Sequence, residues 1–200
     1  MPGAGKIFGA KPVPSGIVGL SGQEWHFNVI TQRWCLRMAR FNRWQNHLLL
    51  DCLEALPAAR LRALLLAREG AFGDLLSRAL VSDLIWMRRL EQVPEVLHPA
   101  IAEGLALADF SAWRRERLNV DALLVAWAAR QGAEGTSGQL YWFAPESGRV
   151  VSQPLGLCLT QVFWAQSEAR GRMAEHLSLA GIALRLPELL SQPEDADWMA

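Results

Sequence analysis

Apolar residues recur at helical spacing along four long stretches of the chain, and polar residues fill the positions between them. When successive residues are placed 100° apart, the stretch over about residues 22–56 puts its large apolar side chains on one face. The members of that face are Trp34, Met38, Phe41, Leu48, Leu49, Cys52 and Leu56. Two amides, Asn42 and Gln45, fall at its edge or inside it, and His47 falls on the opposite side. The pattern predicts a long helix that ends at Pro57, with His47 facing solvent.

Three further stretches have the same periodicity. They cover about Phe72 to Glu91, Asp109 or Ser111 to Arg130, and Pro154 to near Gly181. The first of these is apolar over so wide an arc that we expect it to pack on more than one side, as in a bundle interior. Residues 58–70 are helical in composition and form either a short helix or the lead-in to the next one. Residues 139–152 form two short extended runs around a turn, which predicts a β-hairpin before the last helix.

These elements predict an all-α domain, a four-helix bundle with a small β-hairpin before the last helix. Residues 1–22 are rich in glycine and proline, which argues against a regular helix and predicts an N-terminal arm. We therefore divide the chain into an arm at 1–22, a single bundle domain at 23–195 and a tail at 196–200. The connection between the second and third long helices is long enough for a crossover.

Composition argues against several classes of partner. Twenty basic residues balance twenty acidic ones, so no long-range field attracts nucleic acid or anionic lipid, and we expect neither partner. No run of 18 apolar residues is free of charge, and residues 1–20 lack the apolar core of a secretory signal. The cysteines, Cys35, Cys52 and Cys158, are odd in number, widely spaced and outside any CxxC motif. This usage favours reduced, buried thiols and a cytoplasmic protein.

Four segments, in order along the chain, resemble one known family. They are FNRWQNHLLLDCLEALP at 41–57, SDLIWMRRL at 82–90, RRERLNVDALLVAWAA at 114–129, and the hairpin followed by QPLGLCLTQVFWAQSEARGR. Over about residues 33–195 the chain is similar to the DinB-like, DNA-damage-inducible proteins related to bacterial thiol transferases. The resemblance implies an up-down-down-up bundle with a crossover, a bacterial source and a tendency to form homodimers.

In that family three histidines bind a metal, usually zinc or nickel. One lies on the second helix, eight residues before a tryptophan, and two form an HxxxH pair on the last helix ahead of Arg-Gly. The resemblance carries these positions onto Arg78, Ala165 and Ala169, and the Arg-Gly onto Arg170 and Gly171. Alanine has no lone pair to offer a metal, and arginine has no acceptor atom. We therefore expect a site with no metal, no cofactor and no catalytic residue.

Arg78 is the most informative of these substitutions, because a cation on a partly buried face needs a partner. One hypothesis is that Arg78 and Arg170 bind an anionic small molecule such as a carboxylate. The pocket would be lined by Arg78, Ala165, Ala169, Gln45, Asn42, Asp83, Trp86, Trp164, Glu168 and Arg170. The alternative is that Arg78 reaches solvent or pairs with a carboxylate, and so has a packing role only. The candidate carboxylates are Asp83, Glu168 and Asp51.

A metal-free bundle could also bind a protein partner in place of a small molecule, and two other functions stay open. A metal site relocated to His176, Glu175 and Cys158 would support a transferase of the family's kind. A purely structural homodimer is the other, since nine tryptophans supply large apolar surfaces for packing or for an interface. Metal analysis of the purified protein separates the first from the metal-free hypothesis, and light scattering tests the second.

Overall fold

The computed structural model describes residues 30–66, 72–91, 110–132 and 136–192. Within these ranges the chain is mostly helical, with one two-stranded antiparallel sheet and a short 3₁₀ turn at Leu189–Ser191. The elements are α1 (Gln32–Glu54), α2 (Ala58–Leu65), α3 (Phe72–Glu91), α4 (Phe110–Arg130), β1 (Gln139–Ala144), β2 (Arg149–Pro154) and α5 (Leu155–Leu179). The predicted helical fold with a hairpin before the last helix is confirmed. The predicted arm at 1–22 and tail at 196–200 lie outside the described residues.

The helix ends follow from local sequence. The hydroxyl of Thr31 accepts a hydrogen bond from the backbone N–H of Trp34 (3.1 Å) and so caps α1. Pro57 separates α1 from α2, because proline is readily placed just before or at the first turn of a helix. At the end of α5, Gly181 has φ +68°, as predicted for a glycine that terminates a helix. The N–H of Ile182 then donates to the carbonyl of Leu177 (2.8 Å), which closes the last turn.

The four long helices contact one another in the cyclic order α1, α4, α3, α5. Helices α1 and α4 are antiparallel, as contacts along their length establish: Gln32 with Ala128, Asn46 with Asp121, and Glu54 with Arg114. Helices α3 and α4 are parallel, with Leu76 beside Trp113, Asp83 beside Arg117, and Glu91 beside Arg130. Helices α1 and α5 are also parallel, with Trp34 beside Phe163 and Gln45 beside Arg170.

The space between the helices is filled by apolar side chains, of which Trp113 and Phe72 are the largest that are fully buried. The hairpin closes one side of this core with Leu140 and Ala144, whereas Tyr141 and Phe143 point outward, as the alternation along a strand requires. Among residues 30–66, 72–91, 110–132 and 136–192, no helix is long and apolar enough to cross a membrane.

His47 is partly buried, so the prediction that it faces solvent is wrong. Helix α4 packs against that side of α1, and the charges of Asp121 and Arg114 act on the imidazole. Burial, followed by the nearby positive charge of Arg43, lowers the pKa of His47 below its usual value. All three cysteines are free thiols; Cys35 and Cys158 are buried, and Cys52 is only partly so.

After α5, the chain turns back along α1. The thiol of Cys52 lies 3.8 Å from the carbonyl oxygen of Ala183, and the amide of Gln45 donates to the carbonyl of Pro187 (2.9 Å). Since Gln45 precedes Cys52 on α1, residues 183–187 run antiparallel to that helix. The last described residue, Gln192, is buried.

Candidate functional site

A cavity of about 400 Å³ lies between α3 and α5, with parts of α1 and α4 at its wall. Its wall includes six of the residues that the sequence places at the site: Arg78, Asp83, Ala165, Glu168, Ala169 and Arg170. Ala165 and Ala169 are one helical turn apart on α5, so their short side chains leave space on the same face. The cavity is therefore lined by all three positions onto which the expected resemblance carries metal ligands, Arg78, Ala165 and Ala169.

The other residues expected at the site lie elsewhere. Asn42 and Gln45 are buried behind the wall of the cavity, where they accept hydrogen bonds from Arg170. Trp86 packs against Trp142 on the hairpin, with ring centroids 6.0 Å apart, because β1 contacts this side of α3. The guanidinium of Arg89 lies over both rings, 4.8 Å and 4.7 Å from their centroids.

Trp164 was also expected to line this pocket, and that expectation is wrong. Its side chain is 69% exposed, and it lines a separate groove between α5 and α1. The reason is rotation around α5: Trp164 precedes Ala165 by one residue, which turns its side chain about 100° away from the cavity.

Arg170 is a buried cation in the wall of the cavity, with only 4% of its surface exposed. Its Nε donates to Oε1 of Gln45 (2.8 Å), and its Nη1 donates to the side-chain oxygens of Asn42 and, more weakly, Asn46 (3.4 Å). Among the described residues, these amides are its hydrogen-bond partners, and it has no ion pair with a carboxylate. Burial lowers the pKa of Arg170 to about 10, although the negative charges of Asp83 and Asp121 oppose this effect.

Arg117 is the second buried arginine, and its partners are carboxylates. Its Nη1 lies 2.6 Å from Oδ2 of Asp83, and its Nη2 lies 2.8 Å from Oδ1 of Asp121. Asn42 and Asn46 also donate to Asp121, at 3.1 Å and 2.9 Å, so Asp121 joins the two arginine clusters. Burial alone would lower the pKa of Arg117, but the two carboxylates outweigh it and raise that pKa.

Three residues of the site, Arg117, Asp121 and Asn46, were not predicted from the sequence. The available signal was the i, i+4 spacing of Arg117 and Asp121 on a predicted helix, which brings the two side chains together. That spacing alone does not distinguish a pair on a solvated face from a buried one.

Arg78 is exposed at the edge of the cavity, and its Nε donates to the backbone carbonyl of Asp74 on its own helix (3.3 Å). None of its three candidate carboxylates forms an ion pair with it in the described parts of the chain. Asp83 is bonded to Arg117, and Glu168 forms an ion pair with Arg172. The ion pair expected under the packing alternative is therefore not observed, whereas the exposed side chain of Arg78 agrees with the other form of that alternative, in which it reaches solvent.

The charges of the wall are unequal. Among the described residues, four arginines line the cavity, namely Arg78, Arg117, Arg170 and Arg172, and they are opposed there by Asp83 and Glu168. With Asp121, which lies against Arg117, the count becomes four positive charges against three negative ones. The cavity is thus suited to an anion rather than to a cation.

Gln166 is a buried amide in the same wall, with 5% of its surface exposed. Neither its side-chain nitrogen nor its oxygen has a hydrogen-bond partner among the residues that the structure describes. Unpaired buried amides are uncommon because each lost hydrogen bond to water is left uncompensated. Burial of the unpaired amide of Gln166 therefore lowers the stability of the folded protein.

A relocated metal site is not assembled by the described residues. Within residues 30–66, 72–91, 110–132 and 136–192, no three His, Cys, Asp or Glu side chains are grouped so as to hold a metal ion. His176, Glu175 and Cys158 all belong to this part of the chain and form no such group.

No protein-family model, no curated protein and no solved structure matches this chain. The function is therefore argued from the cavity and its charges, because function resides in a site and not in a fold.

Proposed function

We propose that this protein is a DinB-like four-helix-bundle protein that binds a small carboxylate in the cavity between α3 and α5, without a metal. Two observations support the bundle: the four long helices contact one another in a cycle, and their directions correspond to up-down-down-up. The positions that match the family's metal ligands hold residues without suitable donor atoms, so the thiol-transferase chemistry is lost. The protein then acts as a binding protein and not as an enzyme.

The proposal rests on one observation: two of the four arginines in the cavity, Arg78 and Arg170, contact no carboxylate among the described residues. A guanidinium buried against amides alone is held at a cost, because its charge is desolvated without a direct counter-ion. A carboxylate ligand supplies that counter-ion, and charge-assisted hydrogen bonds of this type are among the strongest in proteins.

In this proposal Arg170 and Arg78 have different roles. Arg170 uses its Nε and Nη1 for amides, and among the described residues its Nη2 forms no hydrogen bond, so Nη2 is available to a carboxylate oxygen. Arg78 lies at the exposed edge, where it attracts the ligand and contacts it without loss of much hydration. Apolar parts of the ligand would contact Leu75, Leu76 and Met173, which line the same cavity.

A thermal-shift and calorimetric series with the monocarboxylates from acetate to octanoate tests the proposal. Carboxylates that fit should raise the unfolding temperature in a concentration-dependent manner, since a ligand that binds only the folded state stabilises it. The corresponding primary alcohols, which lack the charge, should not. Absence of any shift across the series would overturn the proposed function. Stoichiometric zinc or nickel that is lost on mutation of His176 or Cys158 would overturn its metal-free part.

Matched variants distinguish the contribution of the arginine charges from that of the cavity volume. Ala165→Leu fills the cavity without changing its charge and should abolish the response to longer carboxylates. Arg78→Gln removes an exposed cation that has no ion pair among the described residues, and it should weaken binding by about two- to fivefold, as expected for an exposed charge. Arg172→Gln is the control, because Arg172 lines the same cavity but is already paired with Glu168; its effect should be smaller. An equal effect of Arg78→Gln and Arg172→Gln would remove Arg78 from the site.

A homodimer is a second candidate, and it is compatible with ligand binding. The outward face of the hairpin exposes 58% of Tyr141, 50% of Phe143 and 70% of Val150, and Phe143 and Val150 are paired across the strands. Light scattering of the wild type and of Phe143→Glu tests it. A dimer that dissociates in the variant would support it, and a monomeric wild type would exclude it.

A further inference from the structure

A second cavity, a groove of about 670 Å³, lies between α1 and α5 and adjoins the carboxylate site at Glu168, which lines both. Its apolar lining comes from Trp34, Met38, Phe163 and Trp164. The hydroxyls of Thr160 and Ser167 also line it, but they donate to carbonyls of their own helix, Gly156 and Phe163, at 2.9 Å each. Glu168 is the charged residue among the described residues of the lining, and it already has an ion pair with Arg172. The groove is therefore suited to an apolar occupant that brings its own aromatic surface.

The path of the chain after α5 indicates which segment could occupy the groove. Residues 183–187 follow α1 backward from Cys52 to Gln45, and the groove residue Met38 lies seven residues further in the same direction. Seven residues of helix correspond to about 10 Å. The buried side chain of Gln192 indicates that the chain is still against the protein at the end of the described residues.

The rest of the chain matches the groove in length and chemistry. Residues 193–200 read PEDADWMA and lie outside the described residues. Trp198 is six residues beyond Gln192, and six residues span up to about 20 Å when extended. Trp198 and Met199 are apolar, and the three preceding charges are all acidic: Glu194, Asp195 and Asp197.

Helix α1, which contributes Trp34 and Met38 to the groove, carries the complementary charge. Between residues 32 and 46 it has four arginines and no acidic residue: Arg33, Arg37, Arg40 and Arg43. Arg43 lies on the side of His47, so the other three are the candidates to face the segment. The N-terminal segment is a less suitable occupant, because it joins α1 at Ile30, beyond Trp34, and would have to reverse direction to enter the groove.

We propose that the groove between α1 and α5 is the binding site for residues 193–200 of the same chain, with Trp198 between Trp34 and Trp164. The segment then forms an intramolecular strap that covers the apolar groove, while its carboxylates lie beside the arginines of α1. This proposal does not depend on the carboxylate site, because the described residues that line the two cavities are different apart from Glu168.

Disulfide trapping in the full-length chain tests the strap. In a Cys52→Ser background, which removes the partly exposed native thiol, one variant carries Thr160→Cys and Met199→Cys. The control carries Leu179→Cys and Met199→Cys; Leu179 is on the same helix, is 82% exposed and lies outside the groove. After mild oxidation of dilute protein, digestion and mass spectrometry quantify the link within one chain. We expect the groove pair to link at least about tenfold faster than the control, because a bound segment has a high effective concentration.

Two additional substitutions keep the test decisive. Adding Trp198→Ala to the groove pair should reduce its linking rate to that of the control pair, and so should adding Trp164→Glu, which alters an exposed position only. Equal rates for the two pairs would overturn the proposal. A link that forms only between two chains would also overturn it and would assign the groove to a second copy of the protein.

Discussion

The two buried arginines, Arg117 and Arg170, are held by different kinds of partner. Arg117 has two carboxylates within 2.8 Å, whereas Arg170 has amide oxygens as its partners among the described residues. The consequence is opposite pKa shifts: the pKa of Arg117 is raised and that of Arg170 is lowered to about 10.

This difference distinguishes an arginine that stabilises the fold, Arg117, from one that we expect to bind a ligand, Arg170. A buried ion pair with complete partners is closed to further ligands, and removal of one member leaves an uncompensated charge. A buried cation with neutral partners keeps attraction for an anion that the fold does not provide. The structure thus contains both types within one hydrogen-bonded network, joined through Asn42, Asn46 and Asp121.

The largest expected effect is that of Arg117→Met. It leaves Asp83 and Asp121 buried together without a cation, and we expect a loss of about 3–5 kcal/mol in the free energy of unfolding. Urea denaturation followed by circular dichroism measures it. A loss below that of Arg170→Met would contradict the comparison.

Arg170→Met should cost less, about 1–3 kcal/mol, because the groups left behind are neutral amides and not charges. The same variant should no longer respond to carboxylates in the thermal-shift series. If it keeps the full ligand response while it is folded, Arg170 does not contact the ligand.

Gln166→Leu should have the opposite sign. Both polar atoms of Gln166 lack partners in the described structure, so replacing them with an apolar side chain of similar size should stabilise the protein by about 1 kcal/mol. Denaturation curves of the two proteins in the same buffer give the difference. A destabilised variant would mean that the amide has a partner beyond the described residues.

The smallest effect is a dependence on pH. Arginine in the unfolded chain stays protonated above pH 10, so an unfolded chain binds more protons than a folded chain in which the pKa of Arg170 is about 10. Stability from this group therefore rises with pH through that value, by at most about 1.4 kcal/mol per pH unit. The cost of Arg170→Met should accordingly grow between pH 9 and 11, while carboxylate binding to the wild type weakens. A cost that is constant over this range would contradict the lowered pKa.

Sequence periodicity was sufficient for most of the elements, but it placed the start of α1 near residue 22, whereas the helix begins at Gln32 because Thr31 is extended and caps it. Helix α3 has the predicted bounds, Phe72–Glu91, because Pro94 and a wide apolar arc define it locally. The hairpin and Gly181 were predicted for the same reason: turn residues act on their immediate neighbours. The resemblance to the DinB-like family also led to Arg78, Ala165 and Ala169, which line one cavity.

The buried polar network could not be predicted from the periodicity of apolar residues in the sequence. Arg117 and Asp121 are charged residues on a helix with a weakly defined apolar face, and their burial depends on which helices surround α4. Trp164 is a different case: helical spacing already turns it about 100° from Ala165, and the structure places it in the groove between α1 and α5. Which side chains become partners across two helices depends on the tertiary packing of those helices.

The hydrogen bonds of Arg170 to Asn42 and Gln45 link positions that are more than a hundred residues apart in the chain, and Gln45 extends them to the backbone of Pro187. A change at any one of these side chains leaves the others without a donor or an acceptor. In the evolution of this protein, residues 42, 45 and 170 should therefore be inherited or replaced as a set, and single replacements among them should be rare.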